Sequence, residues 1–129
     1  MITRNAIYTR LKTAALAVSP NAYVTGRYMP IPASFPCVFI REIDRSRPLR
    51  GMQLDGEDVQ WESAYEIQVS SNLQIGAEIE AYRLYEAVKG ALTTLYYRET
   101  SLSPIDDGTK YTLAGRFRRV IGGGDTMPE

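Results

Sequence analysis

Val59-Gln60-Trp61-Glu62-Ser63-Ala64-Tyr65-Glu66-Ile67-Gln68-Val69-Ser70 alternates apolar with polar residues, the spacing that sends neighbouring side chains to opposite faces of a strand. Val59, Trp61, Tyr65, Ile67 and Val69 share one face, interrupted by Ser63. Gln60, Glu62, Glu66, Gln68 and Ser70 share the other, interrupted by Ala64. A strand with one dry and one wet face belongs to an antiparallel or mixed sheet covered on one side, not to a parallel sheet buried on both.

Downstream, Ser71-Asn72 breaks the alternation and the apolar spacing changes to three or four. Ala81, Leu84, Val88, Leu92 and Leu95, with Tyr85 and Ala91 beside them, predict a helix that begins between Gln74 and Ala77 and runs to about Tyr96. Gly90 is a fault inside it, costing about 1 kcal/mol relative to alanine. Tyr82, Tyr96 and Tyr97 enlarge the aromatic surface, for packing on the sheet or for contact with another subunit. Arg98 to Leu102 then reads as a strand interrupted by Ser103-Pro104, and Asp106-Asp107-Gly108-Thr109 as a turn. Lys110 to Ile121 returns as a strand, with Tyr111, Leu113 and Phe117 on one face around Gly115. Lys110, Thr112, Arg116 and Arg118 lie largely on the other.

Upstream, Thr3 is placed to cap a helix from about Arg4 to Val18, with Ile7, Leu11, Ala14 or Ala15 and Val18 on one stripe and Ser19-Pro20-Asn21 as the stop. Tyr23-Val24-Thr25 suits a short strand. Pro30, Pro32 and Pro36 keep the following stretch extended. Cys37 to about Ile43 is branched and apolar enough for a strand, and Arg45 to Glu57 reads as a long polar loop. The order predicts an α+β two-layer sandwich: a mixed or mainly antiparallel sheet of four or five strands, covered on one face by two helices. Residues 1–121 form one domain, and residues 122–129, opening with three glycines, are expected to be a flexible tail.

Composition excludes much chemistry. With 129 residues, no histidine and a single cysteine, the chain has no histidine triad, no Cys/His zinc site and no intrachain disulfide. Cys37 sits in Pro36-Cys37-Val38-Phe39-Ile40, where a small buried hydrophobe is its expected role. Gly122-Gly123-Gly124 lacks the Lys-Ser/Thr of a phosphate loop, and Asp106-Asp107-Gly108 lacks the ligand series of a calcium loop. Glu62 and Glu66, four residues apart on one strand, stand about 13 Å from each other, too far to pair directly. The expectation is no enzyme, no cofactor and no metal. Ala14 to Val18 is too short for a membrane span, and no membrane partner is expected.

Fifteen basic residues cancel fifteen acidic ones, but their order is uneven. Arg41, Arg45, Arg47 and Arg50 form a basic segment. No Lys or Arg falls between Arg50 and Arg83, while Asp55, Glu57, Asp58, Glu62, Glu66, Glu78 and Glu80 accumulate. A neutral protein with opposite patches pairs readily with its own copies, head to tail. Arg116-Phe117-Arg118-Arg119 mixes cations with an aromatic, a weak match to a nucleic-acid-binding strand.

Tyr65-Glu66-Ile67-Gln68-Val69-Ser70-Ser71-Asn72, the helical stretch from Ala77 to Tyr97 and Arg98-Glu99-Thr100-Ser101-Leu102-Ser103-Pro104 together resemble the tail-terminator or minor-capsid (head-tail joining) family of tailed bacteriophages, and the basic-aromatic strand around Tyr111 to Val120 fits it. Relatives often carry Gly-Phe where this chain has Tyr96-Tyr97. The resemblance implies a non-enzymatic virion protein, made in the bacterial cytoplasm. It would form a ring, commonly a homohexamer, at the head-proximal end of the tail. Such a ring stops tube growth and joins tail to head, and its implied partners are its own copies, the tail-tube protein and a head-tail connector. The resemblance also implies that DNA would pass through its channel without sequence-specific binding. Combined with the loop and charge pattern, this gives Arg45, Arg47, Arg50, Met52, Asp55 and Glu57 as the loop that docks to a viral partner. Glu62, Glu66, Tyr82, Tyr96 and Tyr97 are candidate subunit contacts; Lys110, Arg116 and Arg118 face either the channel or a neighbouring subunit. A head-completion or connector component binding the portal is the nearest alternative, a small nucleic-acid-binding module a more distant one.

Overall fold

The alternating stretch is the middle of the molecule. The computed structural model describes residues 3–28, 32–46 and 60–122. Its elements are α1 (Arg4–Val18), β1 (Tyr23–Thr25), β2 (Cys37–Ser46), β3 (Gln60–Ser71), α2 (Ala77–Thr94), β4 (Arg98–Asp106) and β5 (Tyr111–Gly122). The five strands form one sheet in the order β1-β2-β3-β5-β4, with β1 parallel to β2 and every other pair antiparallel. Both helices pack on one face, giving the α+β two-layer sandwich that the alternation predicts.

The stripes account for the core. Ile7, Leu11 and Ala15 of α1 and Ala81, Leu84, Tyr85, Val88 and Leu92 of α2 are buried against Val38, Ile40, Tyr65, Ile67, Val69, Leu113 and Phe117 of the sheet. Thr3 caps α1, its Oγ1 accepting from the Ala6 N–H at 3.1 Å. Gly90 has nothing within 4 Å of where a Cβ would sit, so the fault in α2 faces open space. Gly115 is the opposite case: a Cβ there would lie 2.1 Å from the Tyr85 hydroxyl, and that hydroxyl donates to Glu99 Oε2 at 2.6 Å. Burial first, then this bond, pushes the Tyr85 phenol far above its ordinary value.

Four boundaries differ from the sequence expectation. β2 continues past Ile43 to Ser46, because a register shift between Glu42 and Asp44 lets the charged stretch keep pairing with β3. Arg45 is therefore a strand residue opposite Ser63, not the start of a loop. β4 runs unbroken through Pro104; it lies at the sheet's edge, where a missing N–H costs no ladder bond. α2 stops at Thr94, two residues early, because Tyr96 turns left-handed with φ 67°. The Tyr97 N–H then reaches the Leu92 carbonyl at 3.0 Å and the Tyr96 N–H the Thr93 carbonyl at 3.0 Å, a helix ending that ordinarily places glycine where Tyr96 stands. Finally, Gly122 pairs with Gln60 as the last residue of β5; residues 123–129 of the expected tail lie outside the described residues.

Candidate protein interface

β3 lies between β2 and β5, so residues on its helix-free face have a neighbour on each side. Arg41, Glu66 and Arg116 stand directly opposite one another across three strands. Arg41 Nη2 donates to Glu66 Oε1 at 3.0 Å and Arg116 Nε to Glu66 Oε2 at 3.2 Å, while Gln68 Nε2 donates to Oε1 at 3.0 Å. The carboxylate is only 8% exposed, the arginines 49% and 59%. A buried acceptor is thus saturated by two half-solvated arginines and Gln68, and the wet face of the sequence reading is in part a closed polar ladder. Arg118 Nη1 lies 3.6 Å from Glu62 Oε1 on the same face, both half-exposed, with Arg98 opposite Arg118 on β4.

Two of the expected subunit contacts are engaged within the chain itself. Glu66 is occupied within the chain. Tyr97 is 3% exposed, its hydroxyl shares a 2.8 Å bond with Ser63 Oγ, and its ring meets Tyr65 edge-on. Tyr97 follows the left-handed residue, so its ring turns back under the sheet. Tyr82 is half-buried beside Tyr111, while Glu62 and Tyr96 keep exposed surface. Lys110 does not join Arg116 and Arg118. It precedes β5 at the turn, about 27 Å along the strand from Arg118. Arg116 and Arg118 do project together, from the helix-free face. Of the expected docking loop, Arg47, Arg50, Met52, Asp55 and Glu57 lie outside the described residues, and Arg45 is placed by its backbone alone. Cys37 is buried on β2, and burial pushes its thiol up, as expected of a small hydrophobe.

Two features escape the sequence reading. Leu73, Ile75 and Ile79 are 48%, 91% and 75% exposed around the start of α2. Beside them a groove of 280 Å³ runs between the end of α1 and the first turns of α2, lined by Val18, Leu73, Ile79 and Leu84 with Glu80 and Arg83 at its rim. Its signal was Ile75 and Ile79, four apart and off the core stripe. At the far end of α2, Arg119 Nη1 donates to the Leu95 carbonyl at 2.7 Å and stacks 5.7 Å from the Tyr96 ring, itself 71% exposed. This completes the helix ending with a cation, as the helix dipole favours.

The fold and these surfaces define a one-sided sandwich that keeps its polar chemistry in ladders on an uncovered sheet face and exposes apolar side chains at both ends of one helix. No family model matches the chain, and a search of curated proteins finds no matching relative.

Proposed function

We propose that this chain is a structural subunit of a tailed-phage virion that forms a ring at the head-proximal end of the tail, ends tube growth and joins tail to head. One observation carries the reading: Leu73, Ile75 and Ile79 at one end of α2 and Tyr96 at the other are large, exposed and apolar, which is the chemistry of a surface awaiting protein. The resemblance of residues 65–72, 77–97 and 98–104 to tail terminators supports the placement in the virion.

The mechanism is geometric capping. Copies associate through sheet edges and exposed aromatic and apolar surfaces. Among the described residues, the outer side of β4 pairs with no other strand and offers a nine-residue edge. Arg116 and Arg118 face either the DNA channel or a neighbouring subunit. The ring needs no bond-making chemistry, only a surface that the tube can end on. A head-completion component uses the same features against the portal. Gold-labelled protein imaged in intact virions tests the proposal. Label encircling the head-tail junction supports it, whereas label at the distal tip, or particles lacking the chain, refutes it. Label on tailless, DNA-filled heads favours the connector reading.

A further inference from the structure

The two exposed ends of α2 complement each other, but one molecule cannot bring them together. α2 has 18 residues and so spans about 27 Å. The groove lies at its first turn, and Tyr96 lies two residues beyond its last. The groove has apolar walls. Its floor ends at the N-terminus of α2, where Gly76 supplies no side-chain cap, so first-turn N–H groups are available to an incoming oxygen. Tyr96 offers an aromatic ring with a hydroxyl at its tip. Charges lean the same way: the first turn of α2 carries Glu78 and Glu80 against Arg83 at the groove's rim, while Arg119 stacks on Tyr96 and Arg98 follows it two residues on. Tyr96 is moreover held left-handed, at a cost that glycine would avoid, so its side chain presents a ring at a position the backbone disfavours.

We propose that Tyr96 of one copy seats in the groove between α1 and α2 of the next. This inference rests on the ring assembly above and names its contact. The interface is heterologous, with a knob at one end of each subunit and its hole at the other, so it propagates and closes into a ring when the rotation permits.

The test uses the full chain with Tyr96 replaced by the photoreactive p-benzoylphenylalanine, which keeps an aromatic ring, mixed from isotopically light and heavy preparations at concentrations where oligomers form. Light-to-heavy crosslinks from position 96 to residue 18 or residues 73–84 are expected. Ile79→Asp, a change at an exposed site, should weaken self-association at least about tenfold, or about 1.4 kcal/mol, with the far-ultraviolet spectrum unchanged. Oligomers that crosslink elsewhere, or from 96 to 96, overturn the seat and leave the ring proposal standing. A chain that stays monomeric at every concentration and on tails overturns both. Crosslinks solely to a different virion protein overturn the inference in favour of that partner.

Discussion

Replacing Gly115 by alanine tests a close approach of backbone to side chain in the core. The new methyl carbon would sit 2.1 Å from the Tyr85 hydroxyl and 2.8 Å from Cε2 and Cζ of the same ring. Tyr85 is fully buried in the core, its ring 6.1 Å from that of Phe117, and its hydroxyl is held by Glu99. Overpacking of this kind costs about 1–3 kcal/mol. Displacing the hydroxyl from a charged acceptor adds about 1 kcal/mol, because Glu99 keeps water and Lys89 at 3.5 Å. We expect Gly115→Ala to lose about 3 kcal/mol, a fall in Tm of roughly 10 °C for a domain of this size. Tyr85→Phe alone should cost about 1.5 kcal/mol, the worth of a charge-assisted bond. In the double variant the clashing oxygen is gone, so the loss should fall short of the sum by about 1 kcal/mol or more in chemical denaturation. A single variant within about 0.5 kcal/mol of the parent, or strict additivity, would refute the reasoning.

Glu66→Gln should cost about 1 kcal/mol in urea, since the two arginines it holds are half-solvated and screened; the variant's stability should depend less on salt than the parent's. Both Tyr96→Gly and Tyr96→Ala lose the stack on Arg119, but only alanine keeps the left-handed penalty. The glycine variant should therefore be the more stable by about 1 kcal/mol, read as a shift in denaturation midpoint. Gly90→Ala, into open space, should stabilise by about 0.5–1 kcal/mol. Asp107 is held down to about 2 by the Thr109 hydroxyl and then by the N–H groups of Lys110 and Thr109. Its folded value lies below the ordinary 3.8, so its contribution is present above that pH and lost as pH falls toward 2. Carbon-detected NMR should find its midpoint near 2, and Asp107→Asn should remove that part of the acid dependence.

Local periodicity made both helices and β3 legible, because burial of a stripe or a face is written directly into residue spacing. What spacing could not show was which neighbours a strand acquires. Glu66 looked wet, yet its place on the central strand surrounds it with donors from β2 and β5. Arg45 and Ser46 looked like a loop beginning, yet β3 supplies a partner to the end. Pro104 looked like a break because its edge position is a property of strand order. At the candidate interface, Tyr96 and Tyr97 are indistinguishable in sequence; the sign of a single φ sends one ring outward and the other into the core. Arg119 was read as part of a basic run, and only the fold brings it to the carbonyl of Leu95.

Among the described residues β5 is the last strand in sequence, yet it lies between β3 and β4. During synthesis β4 therefore has no sheet to join until residues 111–122 have left the ribosome, and until then β3 keeps one side unpaired. The open edge of β3 thus waits through the synthesis of α2 and β4, and a product released before β5 would present both strands to its neighbours. The arrival of β5 is what closes both edges at once.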